Sequence, residues 1–186
     1  MISIDWHDIR TLNGSQANAF EELCVQLARA NSPDQAKFIR KGTPDSGIEC
    51  YAILDNGYEW GWQAKYFDQL ASSQWSQIDT SVKHALEGHP NLVKYHICVP
   101  LDRPDARQAG KKSAMEQWRF YRTKWKDLAN KTGRTVEFVW WGSSELIEYL
   151  SDQEHVGRVF FWFGTRYFDN DWFSKHLSEA LASAGP

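Results

Sequence analysis

Trp60-Gly61-Trp62-Gln63-Ala64-Lys65 follows the turn-forming Asp55-Asn56-Gly57, and the apolar run Cys50–Leu54 precedes that turn. Two such runs around Asn-Gly read as a β-hairpin with strands Cys50–Leu54 and Glu59–Tyr66. Side chains alternate faces along a strand, so Gln63 and Lys65 share one face and Trp62 and Ala64 the other. An amide oxygen and an ammonium thereby occupy one small patch. Upstream, Gly42-Thr43-Pro44-Asp45-Ser46-Gly47-Ile48-Glu49 leads into the hairpin. Its pairing brings the carboxylates of Asp45 and Glu49 toward Gln63 and Lys65. Acids able to hold a hard cation, beside a lysine able to orient water, are what phosphodiester hydrolysis requires.

Around this hairpin the chain alternates between helical and strand patterns. Phe20, Leu23, Cys24 and Leu27 recur at helical spacing, which predicts a helix from Gln16 to Ala30, flanked on its apolar stripe by Glu21 and Glu22. Lys37–Arg40 is a short strand candidate. Trp75, Ile78, Val82 and Leu86 mark an amphipathic helix stopped by Gly88-His89-Pro90. Lys94–Val99 reads as a central strand closed by Pro100, and Ser113–Thr132 as a long helix carrying Trp118, Tyr121, Trp125 and Leu128. Thr135–Trp141 is a further strand, and Ser143–Leu150 a short helix opened by serine caps. This order predicts an α/β fold with a mixed sheet flanked by helices on both faces. The expected division is a core over 1–151 and an aromatic extension over 152–186, helical after Asn170 and leading toward further domains.

Composition permits one soluble domain with a sizeable core: 186 residues, 42% hydrophobic and 24% charged. No apolar run approaches the roughly 20 residues of a membrane span, and Met1-Ile2-Ser3-Ile4-Asp5 lacks the basic and apolar regions of a secretion signal. Cys24, Cys50 and Cys98 lie in apolar periodic segments without Cys-x-x-Cys pairing, which predicts buried reduced thiols and a cytoplasmic location. The six histidines form no zinc-binding pair, and no Gly-x-x-x-x-Gly-Lys-(Ser/Thr) phosphate loop is present. Net charge is −3, yet 103–134 holds ten Lys/Arg against three acids. A polyanion could dock there while metal-binding acids lie elsewhere; the alternative is a solvated helix face.

The acid, turn, strand and Gln-x-Lys pattern resembles the PD-(D/E)xK nuclease superfamily, in the glutamine-bearing version of Mrr-like restriction enzymes. Phe20-Glu21-Glu22-Leu23 is similar to the Phe-Glu motif whose acid reaches the metal site in that branch. Gly47-Ile48-Glu49-Cys50, Trp60–Phe67, His89-Pro90, Pro100-Leu101-Asp102, Trp162-Phe163-Gly164 and Trp172-Phe173 resemble the effector nuclease domains that precede the ATPase of bacterial antiviral STAND proteins. The resemblance spans residues 16–186. It implies a restriction-endonuclease-like core, an N-terminal module of a larger protein, and a Mg²⁺- or Mn²⁺-dependent endonuclease acting on double-stranded DNA in anti-phage defence, switched on by self-association as a dimer or tetramer.

Within that resemblance Glu49, Asp45, Gln63 and Glu21 are the expected metal-site residues and Lys65 orients the attacking water. Glu49 is favoured as principal ligand over Asp45, because it starts a strand. Each has a plainer reading: Lys65 as a snorkelling surface residue, Gln63 as a strand amide satisfied by backbone, Asp45 as a turn-former, and Glu21 as a solvated helix residue. Lys111, Lys112, Arg119, Arg122 and Lys126 are the expected DNA-backbone contacts. The rival reading is a catalytically degenerate nuclease-fold module for oligomerisation or nucleic-acid binding. An RNase on the same fold is a third.

Overall fold

A computed structural model describes residues 4–42, 47–105, 112–164 and 170–183. The chain forms α1 (Gln16–Ala30), β1 (Lys37–Arg40), β2 (Cys50–Ile53), β3 (Glu59–Ala64), α2 (Ser72–Gly88), β4 (Leu92–Cys98), α3 (Ala114–Asn130), β5 (Glu137–Trp141), α4 (Ser143–Leu150), α5 (Val156–Phe163) and α6 (Asn170–Ser183). The five strands make one mixed sheet in sequence order. β1, β2 and β3 form an antiparallel meander, and β4 and β5 continue parallel to β3. The two parallel connections run through α2 and α3, as parallel neighbours require. The expected α/β class with a mixed, helix-flanked sheet is therefore what the chain adopts.

The hairpin closes where Asn56-Gly57 predicts. Leu54 N donates to Tyr58 O at 2.8 Å and Gly57 N to Leu54 O at 2.9 Å, with Gly57 at φ +81°. Alternation along β3 then divides two cores. Trp62 and Ala64 join Cys50, Ala52 and Cys98 beneath Phe20, Leu23, Cys24 and Leu27 of α1. On the opposite face Tyr95 and Ile97 pack beneath Trp75, Ile78 and Val82 of α2 and Trp118 and Trp125 of α3. All three cysteines are buried and free.

Helix boundaries follow local capping chemistry. Ser15 Oγ accepts from Asn18 N at 3.3 Å ahead of α1. Ser113 and Glu116 form a reciprocal capping box at α3, with bonds of 3.0 and 2.7 Å. At α4 the expected serine cap is replaced. Gly142 is the cap residue, its N–H held by Glu145 at 3.0 Å, while Asp102 reaches in from the β4–α3 connection to accept from Ser144 N at 2.9 Å. Ser143 Oγ instead accepts from Trp6 Nε1 at 2.8 Å.

Beyond residue 151 the chain continues into the first core. Val159 and Trp162 of α5 are buried with α1, Trp162 Nε1 donates to Gln26 at 3.2 Å, and Arg10 N donates to Trp162 O at 2.7 Å. The expected extension thus begins with a helix seated on α1. α6 is helical from Asn170, as expected, and presents Phe173, Leu177 and Leu181 to solvent. Among the described residues no helix is long and apolar enough to cross a membrane.

Candidate active site

Glu49 lies one residue before β2, where its backbone is bonded on both sides: Glu49 N donates to Trp62 O at 2.9 Å, and its carbonyl accepts from Lys41 N at 2.8 Å. Gly47 sets the approach. Its φ is +79°, and a Cβ there would lie 2.1 Å from the Ser81 carbonyl oxygen of α2. Only glycine lets the backbone pass so close to that helix. Tyr95 Oη also donates to Gly47 O at 2.6 Å, fixing the segment against β4. The Gly-Ile-Glu run therefore places its acid by backbone packing.

Gln63 is 2% exposed and faces the α2–α3 side of the sheet, between the alternating Trp62 and Ala64. Its Nε2 donates to Glu49 Oε1 across the hairpin. Its Oε1 is buried and, among the described residues, has no hydrogen-bond partner. An orphaned amide oxygen next to a carboxylate is an unusual expense in a folded chain, since such groups are normally satisfied. Two oxygen donors of this kind suit a hard divalent cation, which takes carboxylate and amide oxygens. Lys65 follows β3 and remains tied to the sheet, its N–H donating to Cys98 O at 2.9 Å. Lys65 is partly buried, and among the described residues its ammonium has no hydrogen-bond or ion-pair partner.

The other two expected ligands fare differently. Asp45 and Lys111 lie outside the described residues. Glu21 is 3.6 Å from Arg40, which also binds Glu22, and Glu22 accepts from Gln26 at 3.0 Å. Arg40 pairs in register with Cys50 and so belongs to the α1 face, opposite Gln63. The structure thus brings together Glu49, Gln63 and the base of Lys65, and ties Glu21 to an arginine. Among the described residues, no three His, Cys, Asp or Glu side chains form a metal-binding group.

Two polar clusters were not anticipated from sequence. The His89 ring lies between Glu59, 2.6 Å from Nδ1, and Lys41, 2.8 Å from Nε2, with the Tyr51 ring 4.8 Å away. Lys41 is also the residue whose N–H holds the Glu49 carbonyl, so this cluster is joined to the site through the backbone. The second cluster centres on buried Asp79, which accepts from Lys124 at 2.9 Å, Lys83 at 2.8 Å and Trp125 Nε1 at 2.9 Å. Burial alone would raise its carboxyl, but these three donors outweigh it and hold Asp79 below the usual carboxylate range. A signal existed: Asp79 sits four residues after Trp75, inside the apolar stripe of α2. His96 is buried flat against Trp62, centroids 4.6 Å apart, and burial pushes its imidazole down to about 3.

The basic segment is less free than its composition implies. Arg103 is half-buried against Trp118 and Trp140 and pairs with Glu145 at 3.3 Å. Arg134 donates to the Leu86 and His89 carbonyls at 2.7 and 2.9 Å, satisfying the end of α2. Lys124 serves Asp79. Lys112, Arg119, Arg122 and Lys126 are exposed on or just before α3. No protein-family model matches this chain, and no curated protein matches it.

Proposed function

We propose that this chain is a metal-dependent endonuclease domain that hydrolyses phosphodiester bonds of double-stranded DNA. The observation that carries the reading is the Glu49–Gln63 pair, whose spare amide oxygen lies buried beside a carboxylate at the sheet end that also bears Lys65. Glu49 and Gln63 would hold Mg²⁺ or Mn²⁺, with Asp45 as a further candidate. Bound there, the cation would polarise the scissile phosphate and make a coordinated water more acidic. Lys65 would orient the attacking water and offset charge developing on the phosphate oxygens. Lys112, Arg119, Arg122 and Lys126 would grip the DNA backbone without reading bases. The antiparallel meander followed by parallel strands agrees with a restriction-endonuclease-like core. By the resemblance stated above, the physiological setting would be a cytoplasmic anti-phage effector activated by self-association, since cutting both strands of a duplex takes two sites.

A second reading, a nuclease-fold module without activity, is favoured by the capture of Glu21 by Arg40, which leaves two described oxygen ligands at the pair. Plasmid cleavage in Mg²⁺ or Mn²⁺, with an EDTA control and the Lys65→Ala variant, separates the two. Metal-dependent cutting that Lys65→Ala abolishes, without a change in thermal unfolding, is the expected result. Equal cutting by parent and variant refutes the role of Lys65, and no cutting by either favours the inactive module.

A further inference from the structure

A groove of about 690 Å³ runs between α2 and α3, beside the Arg119–Arg122–Lys126 row. Its cations are Lys83, Arg119, Lys124 and Lys131, against one lining acid, Asp127. Asp79 pins the ammonium groups of Lys83 and Lys124 at the wall, 2.8 and 2.9 Å from its oxygens. Phe120 presents its ring there, 56% exposed, with Lys112 Nζ 5.5 Å from the centroid. Arg119 belongs both to the groove and to the row, so the two surfaces are continuous.

We propose that this groove binds an unpaired stretch of single-stranded nucleic acid, with a base stacked on Phe120 and its phosphates held by Arg119 and Lys131. Cations along a groove with a solvent-facing aromatic ring are the two parts from which such sites are built. The volume suits a nucleotide, and a duplex keeps its base faces stacked and so offers none to the ring. Charge complementarity selects a polyanion, and the exposed ring selects one that has bases. The inference extends the proposed function to a substrate feature the cleavage site does not supply.

The test is fluorescence anisotropy in EDTA with the intact chain, using a labelled oligothymidine and a labelled duplex, so that it reads binding independently of cleavage. Phe120→Leu should weaken single-strand binding roughly five- to hundredfold, the loss of one stacked base, and leave duplex binding unchanged. Phe120→Trp should retain single-strand binding. Lys131→Gln should flatten the slope of log K against log[salt] for the single strand by about 0.7. Phe120 is exposed, so these variants should melt with the parent. The proposal is overturned if Phe120→Leu lowers both affinities alike or neither. It also fails if inorganic polyphosphate competes as well as the oligonucleotide, or if thymidine monophosphate alone binds as tightly as the strand.

Discussion

Gln63→Glu probes the candidate site at its most sensitive atom. In the folded chain Nε2 of Gln63 donates to Glu49, and the position is 2% exposed. A glutamate there replaces the donor with a second acceptor, so two carboxylates face each other. Losing a hydrogen bond to a charged group costs about 1.5–3 kcal/mol. For a chain of this length that is a fall in Tm of roughly 3–12 °C. A proton shared between the two acids relieves the repulsion, so the pair's proton affinity is raised above that of the unfolded chain. Its stabilising contribution is then complete at low pH and is lost as pH rises through the raised value. A divalent cation can take the place of that proton. At ten times its Kd it adds about 1.4 kcal/mol. Thermal unfolding of parent and variant, at about pH 5 and about pH 8, in EDTA and in Mg²⁺ or Mn²⁺, reads all of these effects. The variant should melt lowest in EDTA at the higher pH and recover more than the parent on adding cation. A variant that melts with the parent in EDTA would show that the two side chains do not face each other. A recovery no larger than the parent's would show that the pair is no cation site.

Three further outcomes follow from the geometry. Gly47→Ala should destabilise the fold by more than the roughly 1–3 kcal/mol of a non-glycine residue at positive φ, because the added methyl also meets the Ser81 carbonyl; urea unfolding measures it, and a loss under 1 kcal/mol would contradict the close approach. His96→Phe should flatten the acid dependence of stability between the ordinary histidine value of 6.5 and about 3, where the unfolded chain takes up a proton that the buried ring refuses; unchanged dependence in pH-resolved melts would argue against a neutral buried His96. The triple change Arg119→Gln, Arg122→Gln and Lys126→Gln should weaken duplex binding for any sequence and lower the salt slope by about 0.9 per lost phosphate contact; an unchanged slope would mean that this face is merely solvated.

What could be read from sequence was local and periodic. Asn56-Gly57 placed the turn, and the turn set the pairing that lays Cys50 beside Trp62, so alternation alone put Gln63 and Glu49 on one face. α1 keeps the boundaries its stripe predicts, and α4 keeps its expected range although Gly142 rather than a serine caps it. What was not legible depended on partners distant in the chain. Glu21 and Glu22 sit at equivalent places beside the α1 stripe, and nothing local says that Arg40 would take both. The basic count over 103–134 could not reveal that Arg103 lies among indoles or that Arg134 closes the end of α2. Val156–Phe163 has a β-branched residue at either end of its first turn and a glycine between them, so its own preference for helix is weak; packing of Val159 and Trp162 on α1 decides it. Asp79 was also missed, although its place in the stripe was a signal. A carboxylate in an apolar stripe must find donors or cost stability; here Lys83 comes from α2 itself and Lys124 and Trp125 from α3, the helix whose other residues line the groove. The cluster that holds the two helices together therefore also fixes two of the groove's cations, so packing in this second core and charge at its surface come from the same side chains.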